Sequence, residues 1–152
     1  MIQPAQPEQA AEICAVIRRS IAELCVEDHG NDPDKLARWL ENKTVENCQR
    51  WLFNSRSRAF VAIRNGQLVG VAHLDKNGYL YLCYVLASVI GLGVGRQLLQ
   101  AAEAQARQWG VAEITLESTA TAWTFYKSQG YQLMQVPVTA DGMLFYPMCK
   151  SL

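Results

Sequence analysis

A chain of 152 residues has the length of one domain, and folding at that size removes roughly 68–70% of the unfolded surface from water, enough for a real core. Half of the residues are hydrophobic and 18% are charged, a composition that excludes wholesale disorder. Fourteen Lys and Arg against fourteen Asp and Glu leave a formal charge of zero, so no general nucleic-acid or anionic-membrane binder is expected, since such proteins carry a basic excess.

Taken in chain order, residues 1–3 are a strand candidate. Pro7 suits a first helical position, and Ala10, Ile13, Ile17, Ile21 and Leu24 recur at helical spacing. Residues 25–32 follow as a loop that gathers Glu27, Asp28 and His29. Asp32 before Pro33 then caps a second helix over 34–40, and Thr44 caps a third with Val45, Cys48, Trp51 and Leu52 on one side. The period next changes. Short apolar runs at 59–63 and 67–74 flank Asn65-Gly66, and Asn77-Gly78 repeats the device before 79–86, which predicts a three-stranded antiparallel meander. From Gly93 the spacing is helical again through Val94, Leu98, Ala102 and Trp109, with Gly110 as the C-terminal stop. Residues 112–116 alternate as a strand, 121–129 read as a short helix, and 131–138 and 143–150 flank Ala140-Asp141-Gly142 as a last hairpin. The order predicts a mixed α/β fold, a mostly antiparallel sheet with helices packed on it.

No linker, repeat or low-complexity run divides the chain, so a single domain over 1–152 is expected. Cys14, Cys25, Cys48, Cys83 and Cys149 are odd in number and lack a C-x-x-C pair, which fits small buried hydrophobes in a reducing, cytoplasmic setting better than a disulfide framework. The Met-Ile-Gln-Pro start resembles no secretory leader, and the longest strongly apolar stretch, 79–95, is broken by glycines and too short to span a bilayer. His29 and His73 share no metal-ligand spacing with each other or with cysteine, so no metal is expected. His73 reads as a satisfied, partly buried strand histidine and Cys83 as packing.

The most informative segment is Ile90-Gly91-Leu92-Gly93-Val94-Gly95-Arg96, which follows a strand and opens a helix. Alternate glycines let the backbone turn tightly and leave N–H groups pointing outward at the positive end of the helix dipole, where a phosphate or pyrophosphate fits and Arg96 adds a cation. A plain connecting turn explains the same residues. The phosphate loop of nucleotide triphosphatases is excluded because no Gly-Lys-Ser/Thr follows. The dinucleotide fingerprint fails as well: Arg96 stands at its third glycine, and too little chain follows Glu117 to build a doubly wound sheet.

Taken together, these residues resemble the GNAT N-acetyltransferase superfamily over nearly the whole chain, most densely from 80 to 131. That family pairs an aromatic-Val strand end with Arg/Gln-x-x-Gly-x-Gly/Ala about five residues later, and Tyr84-Val85 stand at that distance before the glycine segment. Its second signature, Asn-Ala-x-x-Phe-Tyr-x-x-x-Gly-Phe/Tyr, is matched by Thr121-Ala122-Trp123-Thr124-Phe125-Tyr126-Lys127-Ser128-Gln129-Gly130-Tyr131. Ile90 replaces the usual Arg or Gln, and Thr121 replaces Asn.

The resemblance implies a central mixed, mostly antiparallel sheet with helices on both faces and a splayed wedge for a coenzyme. It implies transfer from acetyl-CoA, as co-substrate and without a metal, to the amine of a small molecule or peptide, with a homodimer as one compatible assembly. Coenzyme-binding residues would be Cys83, Tyr84 and Val85 on the strand, Ile90, Gly91, Leu92, Gly93, Val94, Gly95 and Arg96 on the loop, with Thr121 and Tyr126. Tyr126 would protonate the departing thiolate. Glu117 at a strand end is the candidate base, and Glu27, Asp28 and His29 are candidates on the acceptor side, where a solvated turn fits equally. The alternative is a non-catalytic acyl-CoA-binding or regulatory domain of the same fold, which Ile90 and Thr121 permit.

Overall fold

The computed structural model describes residues 1–152. Strand β1 (Ile2–Pro4) leads through a 3₁₀ turn (Pro7–Gln9) into helix α1 (Ala10–Leu24). Helical spacing sends Ala10, Ile13, Ile17 and Ile21 to one buried stripe of α1. Residues 25–32 are not wholly a loop, because a single helical turn, α2 (Val26–His29), forms there and ends at Gly30, φ 59°. The next two helices start where their caps predict. The Asp32 carboxylate accepts from the N–H groups of Asp34 at 2.9 Å and Lys35 at 3.4 Å to open α3 (Pro33–Leu40), and Thr44 Oγ1 accepts from Asn47 at 3.1 Å to open α4 (Val45–Phe53).

Strands β2 (Ser57–Arg64), β3 (Gln67–Asp75) and β4 (Leu80–Val85) form the expected meander, and β1 adds to its edge in the order β1-β2-β3-β4. Asn65 and Gly66, at φ 51° and 74°, both take the left-handed region that a two-residue hairpin demands. Every residue from Leu68 to Leu74 is buried although alternate side chains point to opposite faces, so β3 is covered on both, with α1 and helix α5 (Val94–Gln108) packed against it. The second half of the chain supplies β5 (Glu113–Thr119), α6 (Trp123–Ser128), β6 (Gln132–Leu133), β7 (Val138–Ala140) and β8 (Met143–Ser151). In this antiparallel sheet β8 pairs with β5 along one side and with β6 and β7 along the other.

Two expectations are corrected here. Residues 131–138 are not one strand: Gln132–Leu133 and Val138–Ala140 are the strands paired with β8, Met134 N–H still donates to Pro147 O at 2.9 Å, and the break falls at 135–137, where Pro137 has no N–H to offer a ladder. The helix expected over 121–129 starts only at Trp123, since the N–H groups of Ala120 and Thr121 are turned to the Asp28 carboxylate.

The two sheets touch through one parallel bridge, Tyr79 to Thr115, where Thr115 N–H donates to Gly78 O at 3.0 Å. Gly78 has φ 85°, and a Cβ on it would stand 2.4 Å from the Glu113 carbonyl oxygen. Beyond this joint β4 and β5 share no ladder, and the sheet opens as a wedge. A cluster of 28 buried apolar residues runs behind both halves.

Candidate functional site

The wedge holds a cavity of about 800 Å³ whose walls include Cys83, Tyr84 and Val85 on one side and residues 90–96 on the other. Strand alternation sets the first wall. Leu86 N–H donates to Val69 O at 2.8 Å, so Tyr84 turns its backbone groups to β3, while those of Cys83 and Val85 face the gap. The second wall is the start of α5. Gly93 caps it at φ 81°, and the first intrahelical bond is Gln97 N–H to Gly93 O at 3.0 Å. The N–H groups of Gly91, Gly93, Val94, Gly95 and Arg96 therefore have no partner in the protein, at the positive end of a 15-residue helix. The Arg96 guanidinium folds back over Gly93, 3.3 Å from where a Cβ would sit.

A second cavity, of about 580 Å³, opens on the side of β5 that carries Glu117. Tyr84 and Thr119 line both cavities, so the two meet there. Its floor is a continuous stack of rings. Trp51 lies on His73 at 5.3 Å and 18°, His73 on Tyr81 at 5.2 Å and 25°, and Tyr81 meets Tyr79 edge-on at 4.8 Å. Asp75 is spent on its own hairpin: Oδ1 accepts from Asn77 N–H and Tyr79 N–H, and Oδ2 from the Tyr81 hydroxyl at 2.8 Å. The Glu117 carboxylate is exposed and has no such partner.

Against this geometry the expected residues separate. Cys83, Tyr84, Val85, residues 90–96 and Thr121 converge on the first cavity. Tyr126 is buried, stacks edge-on with Phe125 at 5.3 Å and Tyr131 at 5.7 Å, and stands behind the cavity wall rather than on it. Burial, then the neighbouring Cys83 and Tyr84, hold its phenol well above the ordinary tyrosine range, so it stays protonated. Burial also pushes the Cys83 thiol up to about 12, and likewise that of Cys25, with Asp28 adding to the latter; neither is a thiolate nucleophile. Glu117 lies on the second cavity, not in the wedge itself.

Glu27, Asp28 and His29 line neither cavity. Asp28 accepts from Ala120 N–H at 2.7 Å, Thr121 N–H at 3.3 Å and the Thr121 hydroxyl, which fastens α2 to the turn before α6. His29 Nδ1 accepts from Asn31 N–H at 3.0 Å, so Nε2 carries the proton and donates to Ile21 O at 2.9 Å. Both side chains tie elements together. Thr121 reaches the cavity with its hydroxyl already donated to Asp28.

His73 departs furthest from its sequence reading. It is 4% exposed and neither ring nitrogen has a hydrogen-bond partner. Burial lowers its pKa to about 4, only partly opposed by Asp75, so the ring is neutral. The aromatic character of this second cavity had one legible signal, Tyr79 and Tyr81 two apart on a strand.

The family model described as an acetyltransferase (GNAT) domain matches residues 26–152. A protein of Streptococcus pyogenes serotype M3 described as an uncharacterized acetyltransferase is 33% identical over 67 residues, which are 44% of this chain and 47% of that one. The chain thus spans about half the length of the curated relatives it matches. Among solved structures, a GCN5-related N-acetyltransferase from Rhodopseudomonas palustris is 26% identical with a TM-score of 0.87, over 100% of this chain and 95% of that one. The PaiA N-acetyltransferase of Thermoplasma acidophilum, solved with coenzyme A, shares the fold at 18% identity and a TM-score of 0.82, over 100% and 98% of the two chains.

Proposed function

Since the chain belongs to the acetyltransferase (GNAT) domain family, we propose that it transfers the acetyl group of acetyl-CoA to a primary amine, by direct attack while both substrates are bound. The observation that carries this reading is the meeting of two cavities at Tyr84 and Thr119, which would let an amine in one reach a thioester in the other without a covalent enzyme intermediate. The free N–H groups of Gly91, Gly93, Val94, Gly95 and Arg96 suit the coenzyme pyrophosphate. The gap-facing backbone groups of Cys83 and Val85 suit the amide arm of the coenzyme, paired like an added strand.

In the reaction the amine nitrogen attacks the thioester carbonyl carbon, the carbonyl oxygen takes up negative charge, and the C–S bond breaks to release the thiolate. The Val85 N–H, unpaired toward the gap, is the donor available to the oxyanion. Tyr126, protonated and next to the Cys83 and Tyr84 that line the cavity, is the proposed proton source for the sulfur. Glu117 is the proposed acceptor, directly or through water, of the proton that the amine must lose.

The test is release of free coenzyme thiol with an amine panel, alongside calorimetric titration of acetyl-CoA. Arg96→Ala is expected to weaken acetyl-CoA binding by about tenfold, the scale of one charged hydrogen bond. Tyr126→Phe is expected to lower kcat by roughly 10²–10⁴-fold with little change in coenzyme affinity. Full turnover in the Phe variant, with chemistry limiting, removes Tyr126 from the role. Coenzyme binding without thiol release for any amine replaces an enzyme with a binding domain.

A further inference from the structure

The charges of the second cavity are unequal in a way that bears on its occupant. Three cations, Lys43, Arg56 and Lys76, and two carboxylates, Asp75 and Glu117, line it. Asp75 is consumed by its three hydrogen bonds, and the Lys43 ammonium is held by Asn42 Oδ1 at 2.6 Å. All five keep their charge, so cations outnumber carboxylates by three to two, and Glu117 is the carboxylate without a hydrogen-bond partner. Arg56 and Lys76 are adjacent, since Lys76 N–H donates to Arg56 O at 2.9 Å, and neither belongs to the two ion pairs of the chain, Arg19–Glu23 and Lys150–Glu103. Two neighbouring cations, neither of them in an ion pair, repel, and a bound anion relieves them.

His73 lines the same cavity but does not offer its nitrogens to it. Its two faces are covered by Trp51 and Tyr81, its side chain is 4% exposed, and both nitrogens on its edge lack a partner although the residue lines the cavity. Each nitrogen is also sealed from solvent, so the ring presents aromatic surface to the cavity rather than a hydrogen-bonding edge.

We propose that the acceptor is a small primary amine that also carries an anionic group, a carboxylate or phosphate, with its amine toward Glu117 and its anionic group on Arg56 and Lys76. Polycationic amines are disfavoured, because cations already outnumber carboxylates by three to two on this wall. This rests on the acetyl-CoA-dependent transfer proposed above.

The experiment measures thiol release with matched pairs that differ only in the anionic group: phenylalanine and phenethylamine, 5-aminopentanoate and pentylamine, phosphoethanolamine and ethanolamine, with spermidine as the polycation. The anionic member is expected to show kcat/KM about tenfold or more above its partner in at least one pair. That ratio is expected to fall toward one in an Arg56→Gln/Lys76→Gln double variant, whose substitutions lie on exposed residues. The proposal is overturned if spermidine or the uncharged-tail amines serve as well or better throughout, or if the ratio survives in the double variant. It is also overturned if no panel member reacts while calorimetry shows acetyl-CoA bound, an outcome that leaves the coenzyme site standing. Absence of acetyl-CoA binding sinks the transfer reading and this proposal with it.

Discussion

A neutral imidazole wants one donor and one acceptor, and His73 finds neither inside the protein. Its cost is visible in how stability should respond to acid. Unfolded, the ring takes a proton near its ordinary 6.5; folded, it resists until about 4. Between those values the unfolded chain binds the extra proton, so stability is retained above the unfolded value and is lost as pH falls through this window. The loss between pH 7 and pH 5 is expected to be about 2 kcal/mol. Urea unfolding at the two pH values measures it, and His73→Phe, which keeps a ring between Trp51 and Tyr81, is expected to flatten the dependence. An equally steep loss in the Phe variant assigns the acid sensitivity to other groups. The same scale explains why Asp28 and His29 mislead in sequence: acidic and imidazole groups on a turn look available, yet both are occupied by backbone N–H or C=O partners.

At the scale of elements, the joint between β4 and β5 is one bridge wide, and Gly78 makes it possible. A Cβ there would press on the Glu113 carbonyl at 2.4 Å and the Val111 side chain at 2.6 Å, and the carbonyl is backbone that cannot swing away. Gly78→Ala is expected to cost at least about 2 kcal/mol in thermal or urea unfolding, and to weaken acetyl-CoA binding because this joint sets the mouth of the wedge. Gly110→Ala is the control. Its φ of 76° is also left-handed, but a Cβ there meets nothing within 4 Å, so only conformational strain of about 1 kcal/mol is expected. Equal losses in the two variants would reduce Gly78 to a matter of dihedral angle. Elsewhere the elements are locked by a buried carboxylate. Glu103 on α5 accepts from the Tyr131 hydroxyl at 2.9 Å and from Lys150 on β8 at 3.1 and 3.2 Å, which closes the second sheet onto α5 away from the cavities.

Over the whole molecule, the first cavity is a space between two half-sheets that share a core but not a ladder. A ligand that bridges β4 and the start of α5 adds contacts only the folded chain can make, so acetyl-CoA is expected to stabilise the protein. At 100 times its dissociation constant the linkage is worth about 2.7 kcal/mol, which for a domain of this size raises Tm by roughly 5–10 °C. Scanning calorimetry against coenzyme concentration checks this, and a Tm indifferent to acetyl-CoA at concentrations where titration reports binding would contradict it.

Local rules carried much of this architecture from the sequence alone. The meander follows from Asn65-Gly66 and Asn77-Gly78, helix starts from Asp32 and Thr44, the buried stripe of α1 from its period, and the phosphate-suited loop from alternate glycines before a helix. Each of these depends on dihedral preferences or hydrogen bonds within a few residues, which composition and spacing express directly. The strand end, loop and short helix that line much of the first cavity lie within 80–131, so one stretch of sequence names them together, while Ser20, Leu24 and Cys25 join from the end of α1. Only the tertiary structure decided the rest. The second cavity draws on residues from Trp39 to Phe145, and Asp28 reaches a turn 92 residues away. Whether His73 is satisfied, Asp75 consumed or Arg56 unpaired depends on which distant groups packing brings within hydrogen-bond reach, and periodicity along the chain carries no record of that.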